Sequence, residues 1–229
     1  MASEGPNSPG TAADDSSVGS VAWANPNNSK ISDDVYATAT IDSEQTHYLK
    51  VTNFSFAIPA GATIDGIVME AEVKGAGGLA NDVAVRIVKG GAIGSTDRSS
   101  LTDWTTTETY LSHGGISDLW GETWTAEDIN ASDFGVALSA GNATDTCSVD
   151  HIRITVYYTA TASDHCLYSI PGLGLLALRV LPEPDASISS NDLQHLGTIY
   201  ACLLASGAPA AQIEEVRQQI ARMLRGVGL

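Results

Sequence analysis

Ile67-Val68-Met69-Glu70-Ala71-Glu72-Val73-Lys74 decides the fold. Its apolar residues Ile67, Met69, Ala71 and Val73 fall on every second position, and Glu70, Glu72 and Lys74 fill the positions between. Side chains of an extended chain point alternately to opposite faces, so this stretch reads as a strand with one face in a core and one in water. Glycines in Gly75-Ala-Gly-Gly78 end it.

The same period of two runs outward in both directions. Val35, Ala37, Ala39 and Ile41 alternate with Tyr36, Thr38 and Thr40, and Phe54, Phe56 and Ile58 with Ser55 and Ala57 before a turn at Pro59-Ala-Gly61. Val83, Val85 and Ile87 repeat the pattern, Thr105 to Tyr110 is β-branched enough to continue a sheet, Phe134, Val136 and Leu138 give a further strand, and Ile152, Ile154, Val156 and Tyr158 give the last. Many short strands without helices between them predict a mainly β domain: an antiparallel β-sandwich, jelly-roll-like, over residues 30–160. One helical turn is expected at Thr125-Ala-Glu-Asp128, where Thr125 and Asp128 have the spacing of a capping box.

The flanks differ. Residues 1–29 read as an extended N-terminal arm, whose Ser, Gly, Pro and Asp offer too little apolar area to order it without a neighbouring chain. Residues 161–189, with Pro171, Pro182 and Pro184, read as a stiff connector with one edge strand at Leu175 to Leu181. Residues 190–229 read as a two-helix hairpin. Leu193, Leu196, Tyr200 and Leu203 form the first apolar stripe, and Ile213, Val216, Ile220 and Leu224 the second. A pair of helices this short makes no core by itself, so these eight residues are the candidate partner-binding surface.

Charge restricts the partners. Asp and Glu number 27 against 11 Lys and Arg, a net charge of −16, and most of the excess lies before residue 160. Such a surface repels phosphate, so neither nucleic acid nor an anionic membrane is an expected partner. The first ten residues lack the basic and apolar runs of a secretory signal. Cys147, Cys166 and Cys202 read as buried thiols, with one bridge left open.

Chemistry is sparse. No GxSxG, HExxH, P-loop or dinucleotide motif occurs. His165 beside Cys166 does not make a dyad, since adjacent extended residues point apart. Glu70 and Glu72, about 7 Å apart on one strand face, fit a glycosidase pair numerically but read better as a solvated face. Asp33-Asp34 with Asp42, or Asp145 with Asp150, could offer oxygens to calcium, yet no loop motif fixes them, so no metal or cofactor is expected. Trp104, Trp120 and Trp124 cluster in sequence and are the candidate glycan-stacking residues, against the alternative that they close one end of the core.

Three stretches carry a resemblance: Phe54-Ser-Phe-Ala-Ile-Pro-Ala-Gly-Ala-Thr-Ile-Asp-Gly-Ile67; Asp118-Leu-Trp-Gly-Glu-Thr-Trp124 followed by Asp133-Phe-Gly-Val-Ala137; and Val149-Asp-His-Ile-Arg-Ile-Thr-Val-Tyr-Tyr158. Together they resemble a β-sandwich module of structural proteins of tailed bacteriophages and of some bacterial surface proteins. The resemblance covers about residues 30–160 and implies a non-enzymatic virion component, such as a capsid decoration, collar or fibre protein. It would be made in a bacterial host cytoplasm and assembled as a homo-oligomer with other virion proteins. A carbohydrate- or receptor-binding module, with a host glycan as ligand, is the alternative. The helical hairpin departs from the module.

Overall fold

The computed structural model describes residues 1–160, together with the backbone of residues 165–170 and 174–179. Ten strands build the first unit: β1 (Ala2–Asn7), β2 (Thr11–Asp15), β3 (Ala37–Asp42), β4 (Tyr48–Thr52), β5 (Thr63–Gly75), β6 (Asn81–Lys89), β7 (Ala92–Asp97), β8 (Thr109–Gly115), β9 (Gly135–Gly141) and β10 (Thr144–Thr159). They form two five-stranded antiparallel sheets. The front sheet runs β1-β10-β5-β8, with β3 sharing the β10 edge that β1 occupies; the back sheet runs β2-β4-β9-β6-β7. Consecutive strands mostly change sheet, so each half of the core is built from the whole length of the unit.

The core lies between the sheets. Ile67, Met69, Ala71 and Val73 of β5 and Ile152, Ile154 and Val156 of β10 meet Leu49, Val51, Val85, Ile87, Val136 and Leu138 of the back sheet, all buried. The alternation of β5 thus sorts its faces as its residues demand: Glu70, Glu72 and Lys74 stay half-buried on the outer side. Every residue of β9 is buried, because Tyr48, Ala84, Val88 and Ala137 form a second small cluster on the outside of the back sheet.

Residues 1–29 are not a free arm, contrary to the sequence expectation. β1 pairs with the end of β10 (Ala2 with Tyr158, Glu4 with Val156), and β2 pairs with β4. Backbone pairing supplies what composition does not. Polar side chains of β1 then work locally: Asn7 Nδ2 donates to Phe54 O at 3.2 Å, and Glu4 Oε1 accepts from Ala57 N at 3.0 Å.

Phe54, Phe56 and Ile58 are buried in alternation, yet they form no strand. Asn53 and Ser55 sit at left-handed φ of 64° and 55°, which breaks a ladder. Side chains satisfy the backbone instead: Asn130 accepts from Ile58 N at 2.8 Å and donates to Ile58 O at 2.9 Å. Thr105 to Tyr110 likewise joins the sheet only from Thr109, opposite Val73. Ahead of that point Thr105 Oγ1 bonds Thr107 O, a local side-chain contact that competes with pairing. Val35 is exposed and precedes β3.

Helix α1 (Ala126–Asn130) has the expected cap. Asp128 N donates to Thr125 Oγ1 at 3.1 Å and Thr125 N to Asp128 Oδ2 at 2.9 Å. It lies on the crossing from β8 in the front sheet to β9 in the back.

A second unit spans Ala162–Leu229. Its described part is a hairpin, β11 (His165–Ile170) with β12 (Gly174–Arg179), so the connector expected at 161–189 holds two paired strands rather than one edge strand. The helical hairpin expected at 190–229, with Leu193, Leu196, Tyr200, Leu203, Ile213, Val216, Ile220 and Leu224, lies outside the described residues.

Candidate functional site

The outer face of the front sheet gathers the polar side chains that its strands turn away from the core. Register sets two rows across β8, β5 and β10: Tyr110, Glu72 and His151 in one, Ser112, Glu70 and Arg153 in the next. Arg153 forks onto Glu70, Nε to Oε2 at 2.9 Å and Nη2 to Oε1 at 3.2 Å. Its guanidinium carbon lies 3.9 Å from the centroid of the Tyr110 ring. Tyr110 Oη is 3.0 Å from His151 Nδ1, and Ser8 Oγ is 2.9 Å from His151 Nε2. Burial lowers the His151 pKa although the Glu72 charge opposes it, so near neutrality the ring is an uncharged link between two hydroxyls.

Glu70 is committed to Arg153, and its bond is the main cause that raises the arginine pKa. A carboxylate held through both oxygens in this way offers no free nucleophile. The Glu70/Glu72 pair is therefore a structural fork beside a lone acid, Glu72, whose Oε2 is buried without a hydrogen-bond partner.

Beyond Glu72 the face ends in an acidic cluster. One oxygen each from Asp34, Glu108 and Asp150 lies within 4.8 Å of the others. Asp150 Oδ2 accepts from the backbone N–H of Asp33 at 3.1 Å and of Asp34 at 3.2 Å. Burial raises the Asp150 pKa despite these two donors, and the charges of Glu72 and Asp33 add to the rise. Lys74 Nζ stands 3.7 Å from Glu108 Oε2 and 3.6 Å above the Tyr36 ring.

The sequence-predicted sites fare differently. Trp104 and Trp120 are 0 % exposed: Trp104 Nε1 donates to Asp82 Oδ1 at 2.9 Å, and Trp120 Nε1 to Ile67 O at 3.0 Å. Neither can present a ring face to a sugar, so the three-tryptophan platform is corrected to two core residues and half-buried Trp124. That ring meets Phe134 edge-on at 5.4 Å and bonds Leu119 O. Asp42 accepts from Thr144 Oγ1 and stays apart from the acidic cluster. Asp145 accepts from the N–H groups of Gly77, Leu79 and Ala80 and shapes that loop. Cys147 is a buried free thiol, as expected, while the side chains of Cys166 and Cys202 lie outside the described residues.

Sequence reasoning missed Glu108, Ser8 and the pairing of Arg153 with Glu70. Alternation does put Arg153 and Glu70 on outer faces, but which cross-strand neighbour each meets depends on a register shift in β10 between Val149 and His151.

No protein-family model and no curated protein matches the sequence. Among solved structures the chain is similar to the second N-terminal cellulose-binding domain of the Cellulomonas fimi beta-1,4-glucanase C, at 15% identity and a TM-score of 0.32, over 70% of this chain and 100% of that one. A likeness of that strength carries no argument about ligands.

Proposed function

We propose that this chain is a non-enzymatic structural component of a tailed-phage particle, a sandwich module with jelly-roll-like winding displayed by an attachment segment that follows it. The observation that carries the reading is the division of the chain. A sandwich complete within its first 160 residues is followed by a second unit from Ala162, whose amphipathic stripes on residues 190–226 suit burial against other chains. The three sequence stretches that resemble phage sandwich modules supply the particle context. The acidic sandwich suits an outward position, because like charge keeps displayed copies from sticking to one another.

Light scattering on the full chain tests the attachment half. The wild type is expected to form a defined oligomer, and Leu196→Asp with Ile220→Asp to give a monomer whose sandwich melts unchanged. A monomeric wild type ends the assembly reading. Antibody labelling of purified particles tests the virion half, and particles that carry none of the chain end it.

The polar rows on the front sheet favour a second reading, a carbohydrate- or receptor-binding module. A guanidinium, two carboxylates and the Tyr110 ring share one half-exposed face there, a set that can bond sugar hydroxyls and stack on a ring. Glycan arrays probed with wild type, Tyr110→Ala and Arg153→Ala decide it: binding lost in both variants supports the reading, and an unlabelled array removes it.

A further inference from the structure

Asp150 is 1 % exposed, and its Oδ1 has no hydrogen-bond partner although Oδ2 has two. A buried carboxylate oxygen left unmet is costly unless a donor or a cation reaches it. Glu108 Oε2 is in the same condition, buried and without a hydrogen bond, its contact with Lys74 at 3.7 Å being too long for one. Both residues belong to the cluster that Asp34 completes.

The spacing matches a particular occupant. Calcium binds oxygen at about 2.4 Å, so two of its ligands on opposite sides of the ion are at most about 4.8 Å apart. The ligand oxygens of Asp34, Glu108 and Asp150 all lie within 4.8 Å of one another. All three can therefore join one coordination sphere with little movement. We infer that Asp34, Glu108 and Asp150 form a calcium-binding site that ties the loop before β3 to β10 and to the approach to β8, a role independent of the proposed function.

The chemistry of the donors narrows the ion. Carboxylate oxygens alone favour a hard cation, and zinc would need nitrogen or sulfur. His151, the next residue along β10, has both ring nitrogens engaged by Ser8 and Tyr110. Magnesium demands a tighter octahedron and holds its waters, which suits it less to a loop whose ligands converge from three separate segments. Charge points the same way. Glu72 and Asp33 add further negative charge that acts on Asp150, and Lys74 stands against Glu108 as a countercharge. Asp34, at a left-handed φ of 62°, donates its backbone N–H to Asp150 while its side chain enters the cluster. The loop is thus already folded onto the sheet before an ion arrives.

Terbium luminescence on the full chain provides the test, with Tyr36 as sensitiser because its hydroxyl lies 3.3 Å from Asp34 Oδ1. Terbium emission is expected to rise on binding and to be displaced by calcium, and the melting temperature to rise in millimolar calcium over EDTA. Asp34→Asn and Glu108→Gln, both at side chains outside the core, should each weaken calcium by about tenfold or more, whereas Lys74→Gln should tighten it. Asp150→Asn is not needed, since it could disturb the loop directly. The inference is overturned if the wild type shows no calcium-dependent melting shift, if magnesium shifts it equally, or if the two ligand variants respond as the wild type does.

Discussion

The guanidinium of Arg98 grips the carboxylate of Asp118 through two contacts, Nε to Oδ2 at 2.6 Å and Nη2 to Oδ1 at 2.8 Å. Asp118 also accepts from Trp120 N at 2.8 Å, and its own carbonyl accepts from Ile67 N at 3.0 Å. The pair therefore fixes the turn that delivers Trp120, at a left-handed φ of 56°, into the core. Asp118→Asn is expected to cost about 1–2 kcal/mol, through the loss of charge-assisted bonds. Urea melts of the two proteins measure it, and equal midpoints would mean the turn holds without the charge.

Asp145 predicts a pH effect with a definite sign. Burial alone would raise its pKa, but the N–H groups of Gly77, Leu79, Thr146 and Ala80 together outweigh burial and hold it below its ordinary 3.8. A depressed folded value means that its stabilisation is present above 3.8 and lost as pH falls through the lower folded value. Asp145→Ala should destabilise by about 2–4 kcal/mol near neutral pH, since several loop donors lose their acceptor. The gap to wild type should narrow in melts taken below pH 3.8; a gap that widens there contradicts the assignment.

Trp120→Ala should cost about 3–5 kcal/mol, as expected for a large buried ring, and Trp124→Ala clearly less, because Trp124 is half-buried. Thermal melts rank the two. A Trp120→Ala protein as stable as wild type would show that the ring is not packed as described.

Removing residues 1–8 deletes β1 and bares the β10 edge from Ile154 to Tyr158. The shortened chain is expected to melt lower and to aggregate, since an open edge strand pairs with other chains. If the leader were a dispensable tail, scattering and melting would both match the full chain.

The thiol of Cys147 should resist modification in the native protein. Burial pushes its pKa up to about 12, and the charge of Asp145 adds to the effect, so almost no thiolate forms at neutral pH. Mass spectrometry after maleimide treatment should find Cys147 unlabelled until denaturant is added.

How much of this was legible in the sequence differs by element, for physical reasons. β5 and β10 were readable because a strand with one wet face must alternate, and Ile67 to Lys74 does so without a break. The capping box was readable because Thr125 and Asp128 bond each other across three residues. Local patterns misled where backbone partners are remote. Nothing in Ala2–Asn7 suggests a strand, since it is ordered by hydrogen bonds to Ile154–Tyr158, which composition does not record. Phe54 to Ile58 shows the converse: alternation reports burial, and the left-handed Asn53 and Ser55 decide that burial is reached without a ladder. The acidic cluster was half visible. Asp34 and Asp150 stand out in the sequence as oxygen donors, but Glu108 joins them only because β8 lies beside β5 in the front sheet, and tertiary pairing of that kind leaves no mark on spacing.

β10 pairs with β1, β3 and β5, and it is the last strand of its sheet to be synthesised. During translation, then, β1 and β3 have no partner in their sheet and β5 has only β8 until Thr159 clears the ribosome exit, so the front half of the sandwich is expected to close in one late step. A ribosome stalled just before β10 should leave a chain that proteases cut readily, and one stalled well beyond it a chain that they spare.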